Sequence, residues 1–247
     1  MLSIIVPALE EAANLERLIP EIAAGCPGAE IVVVDGGSAD ETAHLARRHP
    51  TVRWLESERG RARQMNAGAR ASRGDVLLFL HADSALPGGA AGVIDRALAS
   101  PAVVGGRFDV RFTNPGWAFR MIAGFMNRRS RWTRICTGDQ GIFVRRAAFD
   151  ALGGYADIPL MEDIELTRRL KRLGRVACLD LRITTSSRKW ERDGIARTIL
   201  LMWTLRLLYF FGADPARLHR WYYGQPPTGA ADPGRARTPR GCGSGSG

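Results

Sequence analysis

Four short runs of aliphatic and β-branched residues alternate with three helical patterns over the first 80 residues, and this alternation constrains the fold more than any other feature. The runs cover residues 2–6, 31–34, 52–55 and 76–80, and the helical patterns cover residues 12–24, 41–49 and 61–71. Largely apolar runs predict strands buried on both faces, and the run over 52–55, which contains Arg53, predicts a weaker strand. Because crossover helices connect parallel strands, the sequence predicts an α/β fold with a mostly parallel central sheet and helices on both faces.

The second half of the chain predicts a more varied set of elements. Strands are expected over residues 103–112, 141–144 and 176–179, and helices over residues 87–99, 115–134, 147–152, 161–173 and 194–211. We expect one domain over residues 1–223, with a first half to about residue 100, a second half over about 101–193 and an apolar C-terminal helix over about 194–212. Residues 224–247 are rich in Gly, Pro, Ser and Arg, which predicts a disordered tail.

The charge balance favours an anionic partner. The net charge is +10, and 33 of the 35 basic residues are arginine, which suits a phosphate, a nucleic acid or an acidic membrane surface. The four cysteines lack the spacing of a zinc site or a disulfide framework, which favours a reducing cytoplasm. We also expect no signal peptide and no membrane span, because the most apolar segment is interrupted by Arg197 and Arg206.

Polar groups follow the predicted parallel strands, at the edge where open sheets bind ligands. His81-Ala82-Asp83 follows the fourth strand, and its imidazole and carboxylate suit Mg²⁺ or Mn²⁺. Asp35 follows the second strand, where it can accept a nucleobase N–H, while Gly37 lets the backbone approach a ligand. A polar turn that feeds a helix cap explains Asp35 equally well.

Three further groups carry charge that can serve chemistry. Arg61 and Arg63 lie on one predicted helix and can hold phosphate oxygens, or form a solvated basic face. Glu162-Asp163 opens another helix, either as functional carboxylates or as an N-terminal cap pair. Arg188 and Trp190 lie in a Ser/Thr-rich stretch, which predicts a loop that closes over a bound phosphate.

Taken together, these motifs resemble family 2 glycosyltransferases, over roughly residues 1 to 190. The segments that carry the resemblance are Ser3-Ile4-Ile5-Val6-Pro7 with Glu11, residues 31–42, residues 60–69, Leu78-Phe79-Leu80-His81-Ala82-Asp83, residues 138–146, Gly153-Gly154-Tyr155 and Glu162-Asp163. The resemblance implies a GT-A fold with a Rossmann-like sheet, in which the first half binds nucleotide and the second half binds acceptor. The HAD triplet together with GDQGIFVRR most resembles the radical-SAM/selenodomain-associated transferase 2 subgroup, which is linked to arsenosugar biosynthesis.

The resemblance also implies roles for individual residues. Asp163 is the expected catalytic base, supported by Glu162, while Asp83 and His81 are the expected ligands of Mg²⁺ or Mn²⁺. The donor nucleotide is expected to contact Pro7, Glu11, Asp35, Gly37, Arg61, Asn66, Ala82 and Arg188. The donor or acceptor sugar is expected to contact Asp139, Gln140 and Trp190.

This chain departs from the family pattern at three places. His81 replaces the first Asp of the D-x-D element, and Glu10 stands where many relatives have Asn. The Gln of the Q-x-x-R-W element of processive synthases is missing before Trp190, which favours transfer of a single sugar.

The expected reaction moves one sugar from a UDP- or GDP-sugar to an acceptor hydroxyl, with inversion and with the help of a metal. The acceptor is either a small molecule or lipid-linked. The C-terminal helix packs on the domain, forms a homodimer or contacts the inner face of a membrane. The alternatives are an inactive nucleotide-binding scaffold, a sugar-nucleotide pyrophosphorylase, whose glycine-rich loop is missing after the first strand, and a basic nucleic-acid binder that would use residues 107–134. We expect no nucleic acid partner.

Overall fold

The computed structural model describes residues 1–224 and contains one seven-stranded sheet. Its strands are β1 (Leu2–Ala8), β2 (Glu30–Asp35), β3 (Arg53–Glu56), β4 (Val76–Phe79), β5 (Val103–Phe112), β6 (Ile142–Arg145) and β7 (Arg175–Thr185). They lie in the order β3-β2-β1-β4-β6-β5-β7. Only β6 runs antiparallel to its neighbours, so the predicted mostly parallel sheet is confirmed.

Helices cover both faces of this sheet, as predicted. They are α1 (Ala12–Gly25), α2 (Leu45–Arg48), α3 (Arg61–Ala71), α4 (Ala90–Leu98), α5 (Trp117–Thr133), α6 (Arg146–Ala151), α7 (Glu162–Leu173), α8 (Arg188–Asp193), α9 (Ile195–Phe210) and α10 (Pro215–Tyr223). The apolar sides of α1 and α4 pack on one face, around Leu15 and Ile94. The apolar sides of α3, α6 and α7 pack on the other face, around Met65, Phe149 and Leu166.

The reversed strand β6 determines which residues can form a site. Its first residue, Ile142, pairs with Phe79, the last residue of β4. The 3-10 turn that precedes β6, Gly138–Gln140, therefore lies beside the residues that follow β4. The turn places Asp139 next to His81 although 58 positions separate the two residues. His81 Nδ1 lies 3.4 Å from Asp139 Oδ1.

Several elements differ from the sequence prediction, and each difference has a local cause. Strand β7 extends well past residue 179 because it pairs with β5 along almost its whole length, from Val103–Arg175 to Phe112–Thr185. The expected helix over residues 41–49 is a 3-10 turn followed by the single-turn helix α2. The loop predicted over residues 184–190 consists of the end of β7, two connecting residues and the first turn of the short helix α8. Helix α10 was missed although Asp214 caps it by accepting a hydrogen bond from Ala216 N.

Helix α9 is apolar but only partly covered by the rest of the described chain. Leu205 is fully buried against Leu160, Met161 and Leu218, whereas Leu200, Leu207 and Phe210 are between 57% and 75% exposed. No helix within residues 1–224 is both long and apolar enough to cross a membrane. The predicted disordered tail lies outside the described residues, apart from Gly224, which ends α10 with a φ of 70°.

Candidate active site

Two cavities meet at the carboxyl edge of the parallel strands. One, which we call the strand cavity, has a volume of about 520 Å³ and lies beyond the ends of β1 and β4. The other, which we call the helix cavity, has a volume of about 510 Å³ and lies between α5, α9 and the start of α7. Four side chains line both cavities: Arg61, His81, Asp83 and Tyr223. The junction between the cavities is therefore polar and charged.

Hydrogen bonds from Gln64 join the ends of two strands beside the strand cavity. Gln64 on α3 donates through Nε2 to the carbonyl oxygens of Ala8 (2.7 Å) and Val34 (2.9 Å), and so joins the ends of β1 and β2. The predicted donor residues Pro7, Glu11 and Ala82 line this cavity. Its walls therefore combine backbone at the strand ends with a few polar side chains, as in other ligand sites of open sheets.

Glu10, which departs from the family pattern, lies in a backbone conformation that explains the usual Asn. Its φ is 57°, in the left-handed region that Asn adopts more readily than Glu. The chain compensates through hydrogen bonds, because the Glu10 carboxylate accepts from Ala39 N at 2.8 Å and Glu10 N donates to Ser38 Oγ at 2.9 Å. The substitution thus keeps the loops after β1 and β2 together.

Asp83 is the free carboxylate of the junction. Within residues 1–224 it takes part in no hydrogen bond or ion pair, and it faces both cavities. His81 contacts Asp139 instead. Burial by itself would raise the pKa of Asp139, but the hydrogen bond from His81 and the charges of His81, Arg61 and Arg206 outweigh it and hold that pKa below its ordinary value.

The donor set at the junction suits a metal ion that is shared with a ligand. No group of three or more His, Cys, Asp or Glu side chains within the described residues is arranged to hold a metal by itself. Mg²⁺ and Mn²⁺, however, are commonly bound by one or two carboxylates together with substrate phosphates. The unpartnered carboxylate of Asp83, beside the imidazole of His81, fits that second arrangement.

Glu162, which is buried, forms an ion pair with Arg61, which is 40% exposed. Arg61 Nη1 lies 3.1 Å from Glu162 Oε1, and Glu162 is only 2% exposed. Burial raises the pKa of Glu162, and the charge of Arg61 offsets part of that effect. The pair therefore keeps a negative charge in a place where a lone carboxylate would tend to take up a proton.

Asp163 is fixed by backbone groups and faces the helix cavity. Its Oδ2 accepts from Gly138 N at 2.8 Å, and its Oδ1 accepts from Ile164 N at 2.7 Å. Met161, with a φ of 70°, turns the chain sharply before α7 and so places both carboxylates at the helix N-terminus, where the dipole favours negative charge. Asp163 remains partly exposed, so an entering hydroxyl can reach it.

The approach of Gly138 to His81 needs a glycine. A Cβ at Gly138 would lie 2.4 Å from His81 Nε2, closer than any side chain allows. The glycine therefore permits the turn before β6 to bring its N–H to Asp163 and its neighbour Asp139 to His81.

The structure brings together most of the predicted site residues. Asp139, Glu162, Asp163 and Trp190 line the helix cavity, together with His81, Asp83 and Arg61 from the first half of the chain. Trp190 also packs edge-on against Phe112, with ring centroids 5.6 Å apart. Residues that are more than 100 positions apart in the sequence thus share one wall.

Five predicted site residues lie outside both cavity walls. Asp35 accepts from Ser38 N and Oγ, Asn66 bonds to both backbone groups of Tyr155, and Arg188 donates to Asn14 Oδ1. Gln140 is fully buried and bonds to Ser130 and Thr137, and Gly37 lies at an exposed turn with a φ of 87°. Their assignments to substrate contacts stay predictions.

The helix cavity also contains three cations that are not among the predicted site residues. Lys189 lies over the Tyr222 ring, 3.7 Å from its centroid, and burial lowers the pKa of Lys189. Arg129 and Arg206 reach the cavity from α5 and α9. In the sequence, Arg129 and Arg206 each stand at the end of an apolar stripe with helical spacing. An arginine in that position is easily mistaken for a solvated surface charge.

A family model described as "Glycosyl transferase family 2" matches residues 3–153. The chain belongs to glycosyltransferase family 2. Its finer assignment to the arsenosugar-linked subgroup stays a prediction.

Family 2 relatives share part of the chain. A "PGL/p-HBAD biosynthesis glycosyltransferase" of Mycobacterium tuberculosis is 34% identical over 170 residues, which are 63% of each chain. The "Probable glycosyltransferase YdaM" of Bacillus subtilis is 27% identical over 187 residues, which are 66% of this chain and 43% of that one. The chain thus spans less than two thirds of the length of either relative.

Solved structures establish the GT-A fold. S. aureus TarS 1-349 in complex with UDP superposes with a TM-score of 0.58 at 18% identity, over 75% of this chain and 60% of that one. Glucosyl-3-phosphoglycerate synthase from Mycobacterium tuberculosis, in complex with Mn²⁺, UDP and glucosyl-3-phosphoglycerate, superposes with a TM-score of 0.55 at 20% identity, over 74% and 70% of the two chains. The fold predicted from the sequence is confirmed.

Proposed function

We propose that this family 2 member transfers one sugar from a UDP- or GDP-sugar to an acceptor hydroxyl, with inversion at the anomeric carbon. One observation carries the proposal. His81 and Asp83 line both cavities, while Glu162 and Asp163 line the helix cavity beside them. A donor that spans the junction would therefore present its anomeric carbon to Asp163.

The nucleotide would occupy the strand cavity and its diphosphate would reach the junction. Arg61 offers a guanidinium there, held by Glu162, which can bind phosphate oxygens. Asp83 and His81 would hold the Mg²⁺ or Mn²⁺ ion, and a bound ion would stabilise the negative charge of the leaving diphosphate. The Mn²⁺ in the complex of glucosyl-3-phosphoglycerate synthase supports this part of the proposal.

Asp163 would accept the proton of the attacking hydroxyl. Its position at the open wall of the helix cavity suits a base, whereas Glu162 is buried against Arg61 and suits a positioning role. Attack on the face opposite the diphosphate, without a covalent enzyme intermediate, inverts the configuration.

Three finer predictions belong to this proposal, and they concern the subgroup, the two halves of the domain and the location of the enzyme. The subgroup linked to arsenosugar biosynthesis is supported by the HAD triplet and the GDQGIFVRR segment. A nucleotide-binding half to about residue 100 and an acceptor half over about 101–193 agree with the two cavities. A cytoplasmic enzyme that touches the inner face of a membrane through α9 is supported by the exposed Leu200, Leu207 and Phe210.

A panel of nucleotide sugars tests the proposal. The full chain is incubated with UDP- and GDP-sugars, with Mn²⁺, with Mg²⁺ and with EDTA, and released nucleoside diphosphate is measured together with the binding of UDP and GDP. We expect slow, metal-dependent hydrolysis of one donor and selective binding of its nucleotide. Metal-dependent nucleotide binding without turnover of any donor would favour the inactive scaffold, and no binding at all would overturn the proposal.

A further inference from the structure

Two arginines in the helix cavity have no acidic partner among residues 1–224. Arg129 on α5 and Arg206 on α9 both line the cavity, and neither guanidinium group forms a hydrogen bond or ion pair with any residue from 1 to 224. The Nε and Nη2 atoms of Arg129 are buried and without an acceptor. Burying an unpaired charge is costly, so two such groups facing one cavity indicate a ligand that supplies the missing acceptors.

The electrostatic environment agrees with that geometry. Burial, followed by repulsion from Arg206, lowers the pKa of Arg129 to about 10, and burial also lowers the pKa of Arg206. The carboxylates of Asp163 and Asp139 face the same cavity and attract both guanidinium groups, yet neither is within ion-pair distance of them. Both arginines stay cationic at neutral pH, so the helix cavity has two positive charges on its wall.

These arginines are distinct from the groups that face the nucleotide. They line only the helix cavity, whereas Arg61, His81 and Asp83 line both cavities. An anion held by Arg129 and Arg206 would therefore belong to the molecule that enters from the acceptor side.

The two helices that carry the arginines present matching apolar stripes. On α5 the cavity is lined by Ile122, Phe125, Met126 and Arg129, at positions i, i+3, i+4 and i+7. On α9 it is lined by Ile199, Met202, Trp203 and Arg206, at the same spacing. The stripes meet where Phe125 and Trp203 stack, with ring centroids 5.3 Å apart, and both rings are about half exposed. Each stripe thus leads from an exposed aromatic ring to a guanidinium near Asp163.

We propose that the acceptor is an amphiphile, whose phosphate or carboxylate binds Arg129 and Arg206 and whose apolar part lies between α5 and α9. This proposal rests on the proposed glycosyl transfer, because it assigns the acceptor of that reaction. Paired guanidinium groups bind an oxyanion through parallel, charge-assisted hydrogen bonds. The acceptor hydroxyl would lie next to the oxyanion, within reach of Asp163.

The binding of defined amphiphiles tests the proposal on the full chain. Decyl phosphate, below its micelle concentration, is titrated while the fluorescence of the tryptophans is followed, since Trp190 and Trp203 line the cavity. Decanoate, inorganic phosphate and neutral decyl glucoside are titrated in parallel. We expect both anionic amphiphiles to bind roughly tenfold or more tightly than inorganic phosphate and than decyl glucoside.

Matched arginine variants locate the anion. Arg129→Gln and Arg206→Gln are each expected to weaken decyl phosphate binding by about tenfold or more, as loss of a charge-assisted hydrogen bond implies. Arg128→Gln on α5 and Arg197→Gln on α9 remove exposed arginines outside the cavity and are expected to leave binding unchanged. Arg129→Lys keeps the positive charge but removes the paired N–H donors of the guanidinium group. It provides a second test of weaker decyl phosphate binding if a Gln variant does not fold.

Two further measurements separate the outcomes. Binding of UDP with Mn²⁺ is measured in every variant and is expected to be unchanged. If Arg129→Gln and Arg206→Gln bind decyl phosphate like the unmodified chain, the amphiphile proposal is overturned while UDP binding still supports glycosyl transfer. If UDP does not bind at all, the proposed function fails on its own measurement.

Vesicles distinguish the source of the amphiphile. Binding to phosphatidic acid vesicles that depends on Arg129 and Arg206, with no binding to phosphatidylcholine vesicles, supports a membrane lipid. Arginine-dependent binding of decyl phosphate without binding to either vesicle supports a soluble amphiphile. Binding of decyl glucoside as tightly as decyl phosphate would overturn the role of the arginines.

Discussion

The two cavities are built in different ways. The strand cavity is formed by the ends of adjacent strands together with residues of α3 and α10, and hydrogen bonds from Gln64 join the ends of two strands. The helix cavity is formed mainly by side chains of α5, α7, α8, α9 and α10, which come from separate parts of the second half of the chain. Arg61, His81 and Asp83 of the first half also line it. A site made of backbone leaves little room for variation, whereas a site made of side chains on separate helices can change its ligand through a few substitutions.

The cavities also differ in how their charges are satisfied. At the junction, Arg61 is paired with Glu162, and Asp139 contacts His81. Deeper in the helix cavity, Arg129 and Arg206 have no acidic partner within the described residues. We infer that the paired charges at the junction suit the transfer reaction, whereas Arg129 and Arg206 in the helix cavity suit the binding of an anion.

The largest expected effect is on the rate of transfer, and it distinguishes the proposed base Asp163 from Glu162, which forms an ion pair with Arg61. Asp163→Asn keeps the size of the side chain and one of its two backbone hydrogen bonds, from Gly138 N or Ile164 N, but cannot accept a proton. Hydrolysis and transfer should therefore fall by roughly 10²-fold or more while UDP binding persists. Steady-state rates with the donor found in the nucleotide-sugar panel provide the measurement. If Glu162→Gln proves the more damaging change and Asp163→Asn is mild, the two roles are reversed.

The next effect tests whether the junction binds metal. Asp83→Ala removes the free carboxylate, so the gain in UDP affinity that Mn²⁺ produces should disappear, a loss on the order of tenfold or more. Calorimetric titration of UDP with and without Mn²⁺ measures this gain. Asp95→Ala, on the exposed side of α4, is the control. A Mn²⁺-dependent gain that survives in Asp83→Ala would rule out this residue as the metal ligand.

A smaller effect tests the ion pair of Arg61 and Glu162 through its pH dependence. Arg61→Gln leaves Glu162 buried without its cation, which raises the pKa of Glu162 further above its unfolded value. A carboxyl whose pKa is raised on folding contributes stability below its unfolded pKa and loses that contribution as the pH rises through the folded pKa. The variant should therefore be less stable than the unmodified chain by about 1–2 kcal/mol at pH 7.5, after allowance for the exposure of Arg61, and by less at pH 5.

Urea unfolding at both pH values measures this difference. Arg63→Gln is the control, because its partners Glu58 and Asp157 are exposed and their loss should cost little at either pH. A deficit for Arg61→Gln that is the same at pH 5 and pH 7.5 would contradict the proposed charge state of Glu162.

The smallest effect concerns the outer surface of α9. If α9 touches an anionic membrane, Phe210→Ser should weaken vesicle binding by about 1 kcal/mol, roughly fivefold, because an exposed ring no longer enters the interface. Flotation with anionic vesicles at low salt measures the bound fraction. Leu173→Ser removes an exposed apolar side chain at the end of α7 and should have no effect. An unmodified chain that stays with the soluble fraction would instead favour a dimer through α9, which size-exclusion chromatography can detect.

Sequence reasoning was most accurate where local pattern and structure coincide. The first four strands, helix α3 and strand β5 lie where the apolar runs place them, because each run is buried by its own neighbours in the sheet. It was least accurate where partners are distant. The length of β7 depends on pairing with β5, and α10 depends on a cap and on packing of Leu218 against Leu205.

The candidate site divides in the same way. The motifs predicted functional roles for Asp83, His81, Glu162 and Asp163, and all four line one cavity. They did not indicate that Asn66 and Gln140 have their polar groups occupied by neighbouring residues, nor that Lys189 rather than Arg188 faces the cavity. The direction of a side chain on a short helix depends on contacts that no local pattern contains.

The sequence by itself determined the α/β fold, the family and the carboxylates at the junction, because buried strands and strand-end motifs are encoded by neighbouring residues. Only the tertiary structure decided that the reversed strand β6 brings Asp139 to His81, and that α5 and α9 carry two arginines whose side chains find no partner in the described part of the chain. The physical reason is that the cost of a buried charge depends on which groups surround it in space. That information is absent until the chain is folded.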